Sequence, residues 1–338
     1  MLLTGGTGFF GKSILDAFGR GLLAPFGVER IVAVARQASR LRAEAPELCS
    51  AAIELVDADV RDLDSTFDAD LLIHAAASSD ARSYRDDPGT EARIIVEGTR
   101  RVCEAARSAK RRPRLLYVSS GAVYGRQPRG VVAIGENTPW TVDADPDKEA
   151  YVQAKRAAEA IVQDMAECAG VPARIARCFA FVGPWLPLDK HFAIGNFIGN
   201  AWRGEPVDVR ARHPVFRSYL HADDLAIWLL QLATAEGDRC EIFNVGSDEA
   251  VSIRDLASLV ATVGGVGVAL PKMSSAEAED AVAQPDRYVP DIGRARRELG
   301  LEVTIPLRDA VERTLRSLAA APSQRARHQA REPARIPG

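Results

Sequence analysis

The chain has 338 residues, 47% hydrophobic and 26% charged, with a formal net charge of −3; this is the balance of an ordinary globular protein long enough for one large α/β unit or two linked lobes. So small a net charge offers no general attraction for nucleic acid or an anionic membrane, so any anionic ligand must be held by local arginines. Cys49, Cys103, Cys168, Cys178 and Cys240 are scattered with no C-x-x-C pair, no apolar run reaches a membrane span, and no basic-then-apolar leader opens the chain; free thiols, no structural metal and a cytoplasmic location are therefore expected.

In chain order, Met1 to Thr4 lead into Gly5-Gly6-Thr7-Gly8-Phe9-Phe10-Gly11, with glycines at G-x-x-G-x-x-G spacing. Gly5 suits a tight turn out of a first strand, Gly8 a close approach of backbone to ligand, and Gly11 close packing of the next helix. A helix from about Phe10 to Phe18 would aim its free N–H groups and positive dipole end at phosphates. The stretch therefore reads as a cradle for a dinucleotide pyrophosphate, with Thr7, Phe9 and Phe10 beside the glycines. Only Met1 to Thr4 remain for the first strand, where about five or six residues are usual, so the sequence is expected to begin inside it.

Ile31 to Ala35 is a β-branched run that suits a second parallel strand buried on both faces. An NAD-preferring site usually places Asp or Glu at its end, about 20 residues past the glycines. Here Ala35 and Arg36 stand there, with Arg40 a turn later. A guanidinium matches a 2′-phosphate bidentately, so the cofactor expected is NADP, with NAD the alternative; the bland reading is a solvated surface arginine. Ile53 to Val56 reads as a third strand, followed by Asp57-Ala58-Asp59-Val60-Arg61-Asp62. Asp59, with Val60 beside it, either accepts from an adenine amino group or caps a local turn.

Leu71 to Ala77 is a fourth strand running into Ala75, Ala76 and Ala77, whose small side chains leave room for a flat ligand. His74 reads as structural, since no nucleophile or metal partner lies near it in sequence. A helix over about 90–110 precedes the strand Leu115 to Val118, which ends in Ser119-Ser120-Gly121-Ala122-Val123-Tyr124-Gly125. Hydroxyls at the C-terminal end of a parallel strand lie where α/β sheets bind ligands. Arg126 to Lys148 is rich in Pro, Gly and Asp, so an irregular loop over the site is expected.

Tyr151 then opens a helix to about Ala169, and the i, i+4 spacing puts Tyr151 and Lys155 on one face. Tyr151 can act as a proton-transferring acid/base, with Lys155 as a cation that favours its phenolate. A surface pair is the competing reading. Ala173 to Phe179 is a further strand, broken at Gly183-Pro184. A helix from His221 to Leu232, a strand from Glu241 to Val245 and amphipathic helices from Ile253 to Val263 and Leu307 to Leu318 follow. Residues 321–338 lack periodicity and are expected to be a disordered tail.

These segments together resemble the extended short-chain dehydrogenase/reductase family, in its nucleotide-sugar epimerase, dehydratase and reductase branch. The likeness runs from Leu3 to about Leu318 and rests on GGTGFFG, DVRD at 59–62, HAAA at 74–77, SSGAVYG at 119–125, YVQAK at 151–155, RCFAFVGP at 177–184, RSYLHADD at 217–224 and FNVGS at 243–247. It implies an α/β fold: a doubly wound parallel Rossmann sheet over 1–179 and about 221–247, with a smaller C-terminal substrate-binding lobe over about 180–220 and 248–320. It also implies hydride exchange between a nicotinamide and carbon 4 of a nucleotide-linked hexose. By motif, Ser120 would hydrogen-bond the sugar oxygen with Gly121 beside it, Tyr151 would move its proton, and Lys155 would hold the ribose. Asn196 and Arg217 would hold the nucleotide diphosphate.

Related 4,6-dehydratases carry an Asp-Glu pair directly after the Ser/Thr, where this chain has Gly121 and Ala122, so dehydration lacks its acid and base. Ile95 and Ala180 stand where many relatives have Asn. The reading that results is an NADPH-dependent reductase of a 4-keto nucleotide sugar. Its alternatives are a 4-epimerase that keeps NAD bound and a non-catalytic dinucleotide-binding regulatory protein. The helices at about 90–110 and 149–169 resemble a four-helix dimer interface, so a homodimer is implied, with no nucleic-acid or membrane partner.

Overall fold

The structure, a computed structural model, describes residues 1–77, 87–128, 130–142, 146–189, 192–237, 239–271 and 285–320. Strands β1 (Leu2–Thr4), β2 (Ile31–Ala35), β3 (Ile53–Asp57), β4 (Leu71–His74), β5 (Arg114–Ser120) and β6 (Ala173–Cys178), with Glu241–Val245, form one seven-stranded sheet. Its order is β3-β2-β1-β4-β5-β6 and then Glu241–Val245, parallel throughout. The order reverses between β1 and β4, which is where a doubly wound sheet opens a crevice at its C-terminal edge.

Successive side chains point to opposite faces of a strand, and both faces here are apolar, as a parallel sheet between helices requires. Leu3, Leu116, Val118 and Ala176 face a core made with the helices Phe9–Gly19 and Ala222–Thr234. Leu2, Leu115, Tyr117 and Ile175 face a second core with Pro88–Ser108 and Pro146–Ala169. A third cluster joins the helices Ala193–Trp202, Ile253–Gly264 and Leu307–Ala320 through Phe197, Ile198, Leu256, Val260 and Val311. Beside it, Val215–Arg217 pairs with Val251–Ser252 on one edge and Asp286–Tyr288 on the other.

Some boundaries differ from the sequence reading. The fourth strand ends at His74, because the Ala75 carbonyl turns to meet Gly5. The Tyr151 helix begins earlier, at Pro146, a residue whose fixed φ suits the first helical turn; the irregular segment ahead of it is correspondingly shorter. The expected tail, 321–338, lies outside the described residues.

The tightest point is the cradle. Gly5 has φ +81°, and a Cβ there would stand 2.6 Å from the Ala75 carbonyl oxygen. A Cβ on Gly11 would stand 2.4 Å from the Gly5 carbonyl oxygen, so the helix packs directly on the turn that precedes it. Gly11→Ala should therefore destabilise the chain by about 1–3 kcal/mol, as overpacking against backbone does; urea denaturation with an unchanged midpoint would contradict this packing.

Candidate active site

Where the sheet order reverses between β1 and β4, the glycine turn lies against Ala75 and Ala76, the Ala76 N standing 2.9 Å from where a Cβ on Gly5 would be. Gly5 N–H bonds Val34 O at 2.8 Å, which fixes the turn to the sheet. The helix Phe9–Gly19 has Gly8 at its N-cap with no side-chain cap, so its first-turn N–H groups and positive end are left for an anion. Thr7 is half-buried beside them. Phe9 and Phe10 spend their side chains on packing, edge to face with each other at 5.8 Å and with Phe181 against Phe10 at 5.3 Å. Their backbone is what they can offer a ligand. This cradle fits a dinucleotide pyrophosphate.

At the end of β2, Arg36 is exposed. The cross-strand partner of Ala35 at this strand end is Asp57, which already accepts from Ser39 N at 2.7 Å and Ser39 Oγ at 2.5 Å. Those bonds hold its carboxyl below the usual range. Asp59 caps the turn Val60–Asp62 and is bound bidentately by Arg61, Nε and Nη2 each at 2.9 Å. The Val60 side chain is buried under Gly98, so only its backbone remains for a cofactor.

The reacting cluster lies where β5 ends. Ser120 closes that strand and its Oγ accepts from Ala122 N at 3.2 Å. The Ser120 hydroxyl lies near enough to the Tyr151 phenol to pull its pKa downward. Lys155, one helical turn on, is buried and donates from Nζ to Val118 O at 2.9 Å, lying 4.9 Å from the Tyr117 ring centre. Ser120, Tyr151 and Lys155 are thus brought together.

Burial sets their charge states. Burial pushes the Tyr151 phenol up to about 12, with Ser120 pulling only weakly the other way. Burial also lowers Lys155 to about 8. Burial is the largest cause for both groups, and Lys155 Nζ is 6.0 Å from the Tyr151 ring centre. The protein's own groups therefore hold Tyr151 as a protonated phenol.

Tyr288 was not singled out from sequence. It enters the cluster on the strand Asp286–Tyr288, directly opposite Arg217 in the register, with its hydroxyl over Gly121, where a Cβ would stand 2.6 Å from it. The residues around it carry no motif; strand pairing alone brings it there. Arg217 bonds the Asp286 carboxylate at 2.8 Å, so its charge is already partnered. Asn196 is half-buried on the helix Ala193–Trp202 and no side-chain hydrogen bond joins it to the Ser120 cluster among the described residues.

His74 is structural, as expected. Thr4 Oγ1 meets its Nδ1 at 2.7 Å and Thr99 Oγ1 its Nε2 at 3.2 Å, while Thr99 donates to Ile95 O. Thr99 must then accept from Nε2–H, which makes the ring a neutral Nε2–H tautomer. Burial lowers its pKa to about 3. Among the described residues no group of three or more His, Cys, Asp or Glu is placed to hold a metal, and no helix is long and apolar enough to cross a membrane.

Residues 1–246 match the model of the NAD dependent epimerase/dehydratase family. By sequence the chain is similar to UDP-glucuronic acid decarboxylase 1 of Arabidopsis thaliana, 27% identical over 319 residues, 93% of this chain and 68% of that protein. By structure it is similar to a UDP-glucose 4-epimerase from Thermotoga maritima solved with UDP-glucose, TM-score 0.78 at 19% identity, covering 94% of this chain and 98% of the other. It is also similar to a dTDP-glucose 4,6-dehydratase from Streptomyces venezuelae solved with NAD and TYD, TM-score 0.75 at 22% identity, covering 94% and 96%. At such identities the structural likeness shows the fold alone.

Tyr151→Phe keeps the ring and removes the proton, so it should leave dinucleotide binding unchanged and cut turnover by about 10²–10⁴-fold. The pH dependence follows from the two buried groups. Tyr151 stays protonated well above neutrality, whereas Lys155 is a cation below about pH 8 and loses its charge above it. A reaction that uses the phenol as acid and the cation beside it should therefore fall as pH rises through about 8, and a turnover profile flat to pH 10 would contradict that assignment.

Proposed function

The chain belongs to the NAD dependent epimerase/dehydratase family, and from that premise we propose that it is an NADPH-dependent reductase of a 4-keto nucleotide sugar. The observation that carries the reading is the end of β2. An NAD site wants a carboxylate there for the ribose hydroxyls; this chain offers Arg36, and the adjacent Asp57 is occupied by Ser39. A reductase must exchange its dinucleotide every turnover, which suits NADPH.

The nicotinamide, when bound, supplies the hydride. Ser120 hydrogen-bonds the sugar oxygen, Tyr151 gives that oxygen its proton, and Lys155 holds the ribose and keeps positive charge beside the developing phenolate. A protonated Tyr151 is the form that carbonyl reduction needs at its start. Gly121 and Ala122 supply neither acid nor base, which supports chemistry limited to hydride and proton transfer at one carbon. Arg217, released from Asp286, and Asn196 hold the diphosphate. The helices Pro88–Ser108 and Pro146–Ala169 pack on each other and form the face of a homodimer in this reading.

A second reading has a specific observation behind it: the curated relative above is named a decarboxylase and a structural neighbour an epimerase. Either activity would begin with oxidation at carbon 4 and return the hydride to the same site, which calls for a retained NAD. The same Ser120, Tyr151 and Lys155 would serve.

Turnover of a 4-keto-6-deoxy nucleotide sugar with 4-deuterated NADPH should place one deuterium at carbon 4 of the alcohol, read by mass spectrometry. Reduction with NADH alone would overturn the cofactor choice. Arg36→Ala should weaken NADPH binding by roughly 10- to 100-fold, the worth of a charge-assisted contact, and leave NADH nearly unchanged. Equal loss for both cofactors would remove Arg36 from the site. A nucleotide-linked glucose should give no 4-keto-6-deoxy product, and its appearance would show that an acid and base for dehydration exist elsewhere.

A further inference from the structure

Arg217 and Asp286 meet on the short sheet formed by Val215–Arg217, Val251–Ser252 and Asp286–Tyr288. Arg217 Nη2 donates to the Asp286 carboxylate at 2.8 Å, and its Nη1 donates to the Asp286 and Phe216 carbonyls at 3.2 and 2.8 Å. A guanidinium makes the same charge-assisted contact with a carboxylate as with a phosphate. We propose that Asp286 is an internal stand-in for the substrate's phosphate: its carboxylate holds Arg217 until a nucleoside diphosphate takes its place, and so competes with every ligand of that site. The inference rests on the reading above that Arg217 holds the diphosphate.

The carboxylate is free to leave without disturbing the fold. Among the described residues its partner is Arg217 alone, and the strand that carries it is fixed by other bonds. Asp286 N–H bonds Pro214 O at 2.9 Å, Val289 N–H bonds Gln127 Oε1 at 3.2 Å, and Ile134 N–H bonds Val289 O at 2.8 Å. Rotation of one side chain therefore releases Arg217 and leaves the strand in place. The pair is also weak enough to exchange, since side-chain exposures of 25% and 37% leave it screened by solvent. Its position suits a nucleotide sugar. Side chains two apart on a strand share a face, so Asp286 and Tyr288 point the same way, and the Tyr288 hydroxyl stands over Gly121, the residue after Ser120. Arg217, the register partner of Tyr288, thus lies one tyrosine's reach from the end of β5, with room for a sugar between phosphate and Ser120. A carboxylate left beside a bound diphosphate repels it, so Asp286 lowers the affinity for substrate and product alike.

Calorimetric titration of the full chain with UDP and with dTDP tests the proposal. Asp286→Asn and Asp286→Ala should each tighten binding of the preferred nucleotide by about 5-fold, the scale of one partly exposed ion pair given up on binding. Arg217→Ala should weaken it by at least about 10-fold, as loss of a charge-assisted contact does. The sign separates the two roles open to Asp286. If the carboxylate serves to aim Arg217 at the phosphate, its removal weakens binding, and that result would overturn the proposal. Unchanged binding in the Asp286 variants, an Arg217→Ala variant that binds as well as the parent, or no binding of either nucleotide by any of the four proteins would overturn it equally. No keto sugar and no dinucleotide enters the titration, so failure of the reductase reading leaves this result standing. Failure here, in turn, leaves the chemistry at Ser120 and Tyr151 untouched.

Discussion

The arrangement of the reacting groups depends on one buried ion pair. Glu159 follows Lys155 by one helical turn, and its carboxylate takes Arg177 Nε at 3.0 Å, Arg177 Nη2 at 2.7 Å and Ser119 Oγ at 2.6 Å. Arg177 sits on β6 and Ser119 on β5 beside Ser120, so a single carboxylate ties the reactive helix to both strands. The pair is almost fully buried, with side-chain exposures of 4% and 3%. Desolvation makes a buried pair a weak source of stability, yet breaking one partner costs about 3–5 kcal/mol, so the geometry is strongly specified. The same Arg177 lies over the Tyr124 ring, whose hydroxyl donates to Asn244 on the last strand of the sheet.

That rigidity lets burial set the chemistry. A phenol and an ammonium side by side in water would favour ionisation of the phenol, but here both have lost their solvent, and the loss dominates. The resting pair is a protonated phenol next to a lysine that is easily discharged. A positive charge arriving with an oxidised dinucleotide would tip the balance toward phenolate, whereas a reduced one would leave the proton in place. A protonated phenol at rest is the form from which the proposed reduction would begin.

How much of this was legible in sequence follows from what each feature depends on. The glycine turn, the β-branched strands and the Tyr151–Lys155 spacing are local, and the strand Glu241–Val245 fell where its composition placed it. The doubly wound parallel sheet followed from the run of motifs, whereas its strand order came with the structure. Tyr288 was not legible, because it reaches the space over Gly121 only through the pairing of Asp286–Tyr288 with Val215–Arg217, two segments about 70 residues apart in a region without regular periodicity. The protonated state of Tyr151 was not legible either, since burial is a property of the assembled core. Asp59 carried two open readings, and the cap is the one visible, with both carboxylate oxygens on Arg61.

The choice of dinucleotide decides between a reductase and an enzyme that oxidises and reduces the same sugar, because the latter must keep its cofactor. The most direct measurement is to denature the purified protein and identify and count the dinucleotide released, before and after dialysis against NADP. Little bound dinucleotide as purified, and NADP that loads and washes out, is the expected result. NAD released in one-to-one ratio with the chain and resistant to dialysis would contradict the NADPH-dependent reductase.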